Sequence, residues 1–386
     1  MHCIPDSPLV GEGLSTLAVT WQVKASTLCN LRCRYCYEWS GLDDRRLLTL
    51  PQWARVLTAI AEYRAIASKS HRGTVLTHVA WHGGEPLLWP LDYMKQVLAM
   101  QHRILGDTDP TIRNVMQTNL FHVSDWQLDW LAASGFSLNV SMDGATGVRV
   151  DRCGRDTTDR MLANLGRLTV CGIPWGAGVT LGAHNRNSLR DTYDMAAQYG
   201  AGWISVTPMF MGDGSAPIGE LRTGASEAVS ALSDLFAHWI ERGRTVPVQP
   251  LLRCLWSVSG TQQAVPSQER YGPAFYETRF VVRPDGSLTS DLVSPIVLGN
   301  VLRHSMSEIL RSAGMERAVT RRELLTDRHC ALCRFQSTCD HRAVMDYPDE
   351  MPSGPCSIES ALCEYIAAYS LRSGRAPLEL LGWRSL

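Results

Sequence analysis

No stretch of this 386-residue chain approaches the roughly 18 consecutive apolar residues that a membrane-spanning helix needs. The first residues, Met1 to Gly13, lack both the basic start and the continuous apolar core of a secretory signal, so the expected location is cytoplasmic. An excess of charge of either sign is missing too. The 37 Lys and Arg residues nearly balance the 38 Asp and Glu, and a net charge of -1 offers no global attraction to a phosphate backbone or an anionic membrane. Nucleic acid and membrane are therefore not expected as partners. Hydrophobic residues make up 45% of the chain and charged residues 19%, which excludes a disordered chain and leaves a globular one.

The chain does have 12 cysteines, and in a reducing compartment these point to metal or redox chemistry rather than to a disulfide framework. It also shows a regular rhythm. Strand-like runs at Leu17 to Ala25, Val75 to His82, Ile112 to Gln117, Phe136 to Met142, Trp175 to Val179 and Trp203 to Thr207 alternate with amphipathic runs. The amphipathic runs include Trp53 to Ala67, Trp126 to Ala133, Thr158 to Val170 and Leu189 to Tyr199. Six β/α units of this kind predict an α/β fold of parallel strands, a partial (β/α)6 TIM barrel, with the functional loops beyond the carboxyl ends of the strands. After Pro208 the rhythm changes, and the Gly/Pro/Ser-rich Gly212 to Pro217 marks the expected boundary. The chain then divides into a barrel over 17–211, a bridging region over 212–300 and a cysteine-rich region with a C-terminal helix over 301–386. The bridge has a helical run from Ala225 to Ile240 and an irregular stretch from Val246 to Asn300.

Cys29, Cys33 and Cys36 lie just after the first strand, separated by three and then two residues. Three thiolates can bind three irons of a 4Fe-4S cube and leave the fourth iron open to another ligand. Zinc is the competing reading, but zinc sites usually take four protein ligands in paired spacings, and no His accompanies this triplet.

The CxxxCxxC segment resembles the radical S-adenosylmethionine (AdoMet) superfamily, in which AdoMet chelates the open iron and is cleaved on reduction to a 5′-deoxyadenosyl radical. The resemblance extends to Trp81-His82-Gly83-Gly84-Glu85-Pro86 after the second strand, which looks like the family's GGE motif. Glycines there let backbone carbonyls approach a ligand ammonium, and Glu85 adds a charged acceptor. Gln117-Thr118-Asn119 and Ser141-Met142-Asp143-Gly144 resemble family segments at the barrel mouth. The resemblance implies that Tyr35 lies near the adenine, that Asn119 stands at the AdoMet site and that Ser141 hydrogen-bonds the AdoMet carboxylate. It also implies an arginine on that carboxylate; Arg149 is the first choice and Arg152 the fallback.

Cys330, Cys333 and Cys339 form a second set, with two and then five residues between them, and Cys356 follows. Four thiolates complete a cluster with no vacancy, with a structural zinc knuckle as the alternative. This set resembles the SPASM extension of radical SAM peptide-modifying enzymes, which holds auxiliary clusters. The chain departs from the full pattern, because Ala343 and Asp291 stand where that family has cysteines. One auxiliary 4Fe-4S cluster is therefore expected beside the AdoMet-binding one, with Cys356 preferred over Cys363 as fourth ligand because Cys363 falls inside the helical run Ser360 to Ala368. Asp291, freed from cluster binding, becomes a candidate for contacting substrate or accepting a proton.

The combination looks most like maturases of ribosomally synthesised precursor peptides, some of which join an aromatic ring to an aliphatic carbon as a cyclophane. Formylglycine formation and peptide epimerisation are the alternatives within the superfamily. A non-catalytic metal-binding recognition module is the alternative outside it. The resemblance further implies a flavodoxin- or ferredoxin-type electron donor. With only Met1 to Thr16 before the first strand, leader-peptide binding is expected to fall to a separate protein or to the region Gly212 to Asn300.

Overall fold

The computed structural model describes residues 16–71, 73–106, 109–209, 216–260, 279–290, 292, 294, 296–339 and 355–380. Asp291, Ala343 and the boundary glycine Gly212 lie outside these residues.

The six expected strands form in order as β1 (Thr16–Ser26), β2 (Thr74–Gly83), β3 (Ile112–Thr118), β4 (Ser137–Ser141), β5 (Trp175–Leu181) and β6 (Ile204–Pro208), each parallel to the one before it. Helices α1 (Leu50–Ser70), α2 (Leu91–Leu105), α3 (Asp125–Ala133), α4 (Thr158–Val170) and α5 (Leu189–Gln198) make the crossovers. Local chemistry sets their starts. Thr49 and Gln52 close a capping box on α1, with a proline in its first turn, and Ser124 and Gln127 do the same for α3.

Strand periodicity decides which face each side chain takes. On β1, Trp21 stacks on Phe280 and meets Tyr63 of α1 edge-on; on β2, Trp81 packs against Trp53 of α1. These residues belong to the helix-facing layer. The opposite parity carries Gln22 and Lys24 on β1, His78 and His82 on β2, Gln117 on β3, Asn139 and Ser141 on β4, Thr180 on β5, and Ser205 and Thr207 on β6. The inner face is polar, and a hydrophobic crossover layer seals its back.

The bridging region contributes more order than its sequence shows. After α6 (Ala225–Glu241), β7 (Val248–Gln249) adds parallel to β6, and α7 (Leu251–Ser259) follows. At the other edge β8 (Arg279–Val282) lies parallel to β1, and β9 (Ser287–Thr289) and β10 (Gly299–Asn300) continue antiparallel. The full order is β10-β9-β8-β1-β2-β3-β4-β5-β6-β7. Within Val246 to Asn300, where an irregular pattern is expected, the described residues thus include β7, α7, β8, β9 and β10. Strands of two to four residues have too little periodicity to read from sequence, and β8 is buried at every residue, so it lacks alternation. The chain continues through α8 (Met306–Ile309), α9 (Ala313–Cys330), α10 (Glu359–Ser373) and α11 (Pro377–Leu380). Among the described residues no helix is long and apolar enough to cross a membrane.

Two glycines on the inner face of β5 make room for neighbours. A Cβ on Gly176 would lie 2.2 Å from the Trp203 ring, and one on Gly178 would lie 2.9 Å from the Asn139 amide nitrogen. Gly176→Val is expected to overpack this layer and destabilise the fold by about 1–3 kcal/mol or more. An unchanged denaturant midpoint in the variant contradicts this packing.

Candidate active site

The loop that follows β1 is fastened on two sides by main-chain bonds. On one side Gly84 N donates to Ser26 O and Glu85 N donates to Leu28 O, both at 2.9 Å. The approach is so close that a Cβ on Gly83 would fall 1.8 Å from Ser26 O, and one on Gly84 would fall 2.2 Å from the carbonyls of Thr27 and Leu28. Gly83 also holds φ +135, open to glycine alone at little cost. On the other side Arg32 N donates to Val150 O at 2.7 Å and Arg34 N to Val148 O at 3.0 Å, and Leu31 bridges antiparallel to Asp151. The cysteine loop therefore lies between the glycine turn and the segment that carries Arg149.

Cys29, Cys33 and Cys36 line one cavity with Tyr35, Gly83, Gly84, Asn119, Ser141 and Arg149. Leu31, Leu42, Trp39 and Phe121 pack around the three thiols. Burial pushes the Cys29 and Cys36 thiols up to about 12, and raises Cys33 as well, so each is held as a thiol until a metal displaces its proton. Among the described residues no three Cys, His, Asp or Glu side chains converge on the point a single metal ion would occupy. A cubane does not ask for that: it takes one thiolate per iron around a wider body. Three thiols on an apolar wall, opening onto a polar cavity, fit an iron-sulfur cluster with one open iron and an organic ligand beside it.

Each remaining candidate has a defined position. Glu85 is 1% exposed, and its carboxylate accepts from Thr118 Oγ1 at 2.8 Å, Asn119 N at 2.7 Å and Leu87 N at 3.0 Å. It ties the end of β2 to the end of β3. Asn119 donates through Nδ2 to Asn30 Oδ1 at 2.8 Å and lies 3.7 Å from Cys29 Sγ. Ser141 Oγ accepts from Gln117 Nε2 at 2.8 Å, which leaves its own proton for another acceptor. Arg149 is 6% exposed, and Thr157 holds its carbonyl through both N and Oγ1. Its Nη1 donates to Tyr35 OH at 2.7 Å and lies 3.4 Å from Asp143 Oδ2. Arg152 sits half-exposed at the surface, paired with Asp43. Tyr35 donates to Asp143 and stacks on His184, with ring centroids 5.7 Å apart.

Several residues take roles that no motif announces: Asp143 stands in the Ser141-Met142-Asp143-Gly144 segment without an assigned role, and Asn139 and Ser205 stand in no motif. Asp143 fixes both Tyr35 and Arg149 while accepting from Thr180 N at 2.8 Å. Asn139 donates to Gln117 Oε1 at 2.5 Å; among the described residues its Oδ1 has no partner, and Ser205 Oγ, on a residue 2% exposed, has none either. Both residues line the cavity. The signal available in the sequence was parity: a polar residue at every second position of otherwise apolar strands.

The second cysteine set lies at the end of α9. Cys330 and Cys356 pack together with Leu325, and Cys333 N donates to Cys330 O at 2.9 Å. Burial, then the neighbouring Cys356 and Cys333, pushes the Cys330 thiol up to about 12. Cys339 and Cys333 border the main core. Cys363 is 3% exposed on α10 and directs its thiol at Cys254 O of α7, 3.8 Å away.

Two outcomes follow. Gly84→Ala is expected to push the cysteine loop off its seat and lower the iron retained after anaerobic reconstitution; wild-type iron content in that variant contradicts the close approach. Burial pushes the Glu85 carboxyl up to about 7 from an ordinary 4.5, against the pull of its three donors. The native state then keeps a proton that the unfolded chain has lost, so stability falls as pH rises from about 4.5 to about 7, by up to about 3 kcal/mol. Glu85→Gln removes that slope in denaturant titrations of the metal-free protein, and a slope that persists in the variant assigns it elsewhere.

Residues 23–196 match the family model described as the radical SAM superfamily. The chain is 27% identical over 277 residues to a serine-type anaerobic sulfatase-maturating enzyme of Klebsiella aerogenes, covering 67% of this chain and 63% of that one. It is 28% identical over 142 residues to a cysteine-type enzyme of Clostridium perfringens, covering 36% and 37%. The chain thus matches less than two thirds of the length of these relatives. Among solved structures, anSMEcpe with bound AdoMet and the Cp18Cys peptide superimposes with a TM-score of 0.70 at 18% identity, over 94% of this chain and 98% of that one. Streptococcus suis SuiB bound to its precursor peptide SuiA gives 0.59 at 13% identity, over 90% and 76%. These likenesses concern the fold. With the cysteine loop, the glycine turn and the parallel sheet in their observed arrangement, residues 23–196 form a radical SAM domain.

Proposed function

We propose that the chain is a radical SAM maturase that modifies a residue within a peptide, with an intramolecular crosslink of the cyclophane type as product. The observation that carries the maturase reading is the single cavity shared by three cysteines, the glycine turn, Ser141 and Arg149. When bound and reduced, the cluster and AdoMet supply a 5′-deoxyadenosyl radical able to take a hydrogen atom from an unactivated carbon. The protein's part is to hold and orient. The free proton of Ser141 and the guanidinium of Arg149 suit the AdoMet carboxylate, because Gln117 donates to the first and Tyr35 with Asp143 engages only Nη1 of the second. Gly83 and Gly84 on the cavity wall suit the ammonium, and Tyr35 suits the adenine side. Asn139 Oδ1 and Ser205 Oγ give the cavity floor an acceptor and a hydroxyl for a polar group of the substrate.

A crosslink requires an aromatic ring held within bonding reach of the carbon radical, so positioning supplies most of the catalysis after hydrogen abstraction. The electron lost on rearomatisation suits an auxiliary cluster on Cys330, Cys333, Cys339 and Cys356. The engagement of Cys363 with Cys254 supports Cys356 as the fourth ligand. Asp291 remains the proposed proton acceptor. A second reading, formylglycine formation on serine or cysteine, is favoured by the names of the sequence relatives. The absence of thiols at Asp291 and Ala343 favours the crosslink. The proposed partners are a precursor peptide, a flavodoxin- or ferredoxin-type donor, and a leader-binding protein unless the region 212–300 fills that role.

Anaerobic reconstitution is expected to load about eight irons per chain and to yield 5′-deoxyadenosine on reduction with AdoMet. Cys29→Ala, Cys33→Ala or Cys36→Ala should retain about half the iron and yield no 5′-deoxyadenosine. Zinc in place of iron, with no AdoMet cleavage, overturns the enzyme reading. With candidate peptides, a crosslink and a serine-derived formylglycine both remove two hydrogen atoms, but only the aldehyde reacts with a hydrazide. A hydrazide-reactive product selects the second reading.

A further inference from the structure

Lys24 is 2% exposed on the inner face of β1, in register with His82. Its ammonium forms an ion pair with Glu38 and lies 4.8 Å from the centroid of the Tyr37 ring. Tyr37 and Glu38 directly follow Cys36, and both line the cavity with the three cysteines, whereas Lys24 does not. A buried ion pair is weak evidence for stability, since apolar residues of similar volume often serve the fold as well or better. Beside it, His82 accepts from Gly83 N and is kept neutral by burial and by the Lys24 charge, its pKa lowered to about 3. Arg283, just beyond β8, is the further cation acting on Lys24. The pair is therefore a directed charge couple against the loop segment next to Cys36, with its cation rooted in the sheet and its anion rooted in the loop.

A cluster that gains an electron gains negative charge, and its potential responds to nearby charge and to solvent exposure. Lys24 is buried and Glu38 is 20% exposed, so these charges are screened by salt less than a surface pair is. We propose that Lys24 and Glu38 are positioning residues that set the reduction potential of the cluster held by Cys29, Cys33 and Cys36, the ammonium favouring the reduced state and the carboxylate opposing it. The two halves of one ion pair then have opposite effects on the potential. A pair that only fastens the loop has no such property, because loosening it from either side disturbs the cysteines in the same way.

The test is a redox titration of reconstituted protein without AdoMet, following the reduced cluster by electron paramagnetic resonance and checking iron content in parallel. Lys24→Met is expected to shift the midpoint negative by a factor of ten or more in the reduction equilibrium, about 59 mV for one electron. Glu38→Gln, which keeps the shape and a hydrogen bond, is expected to shift it positive. The double variant should return close to wild type, and Lys24→Arg should stay there. Single variants that shift in the same direction, or not at all, overturn the proposal. If Lys24→Met fails to retain iron, Glu38→Gln decides alone: a positive shift upholds the charge effect, and an unshifted midpoint reduces the pair to a loop fastener.

Discussion

Main-chain contact between the cysteine loop and its two neighbours is the constraint on which the rest of the site depends. Gly84 and Glu85 bond to Ser26 and Leu28 from the β2 side, and Val148 and Val150 receive Arg34 and Arg32 from the β4 side. A loop proposed to place three thiols on one cluster needs a fixed geometry, because the sulfurs have to meet their irons together. Backbone bonds supply that rigidity without using the side chains that must face a ligand. The same contacts carry Arg149 to the cavity wall and set Gly83 and Gly84 against the loop.

This arrangement gives the glycine turn a reason beyond ligand access. Any side chain at Gly84 would strike the carbonyls of Thr27 and Leu28. Glu85, the charged member of the motif, is buried in three hydrogen bonds that join β2 to β3. Motif residues here hold one another before they hold anything else, which matches the general finding that groups orienting a site matter as much as the groups touching the ligand.

The polar inner face is the second organising feature. The apolar face of crossover helix α1 packs on the outside of the sheet, Trp53 against Trp81 and Tyr63 against Trp21, so the inside is free to carry amides and hydroxyls without loss of the core. A directed chain runs from Asn139 to Gln117 to Ser141, whose hydroxyl proton is left over on the cavity wall. Below it, open groups on Asn139 and Ser205 extend the polar surface into the barrel.

Sequence alone determined the cysteine spacing, the glycine turn and all six barrel strands, because each is encoded locally. Cys29 to Cys36 spans a single loop, and β/α alternation repeats one hydrophobic pattern along the chain. Tertiary structure decided what depends on register between distant segments. It separated buried Arg149 from surface Arg152, joined Lys24 to Glu38, and brought Asp143 under both Tyr35 and Arg149. It also ordered the short strands β7 to β10, whose few residues hold too little pattern to read. The physical reason is the same throughout: spacing within a loop fixes which atoms can share a metal cluster, whereas strand parity and pairing, set by the packed sheet, fix which side chains meet across it.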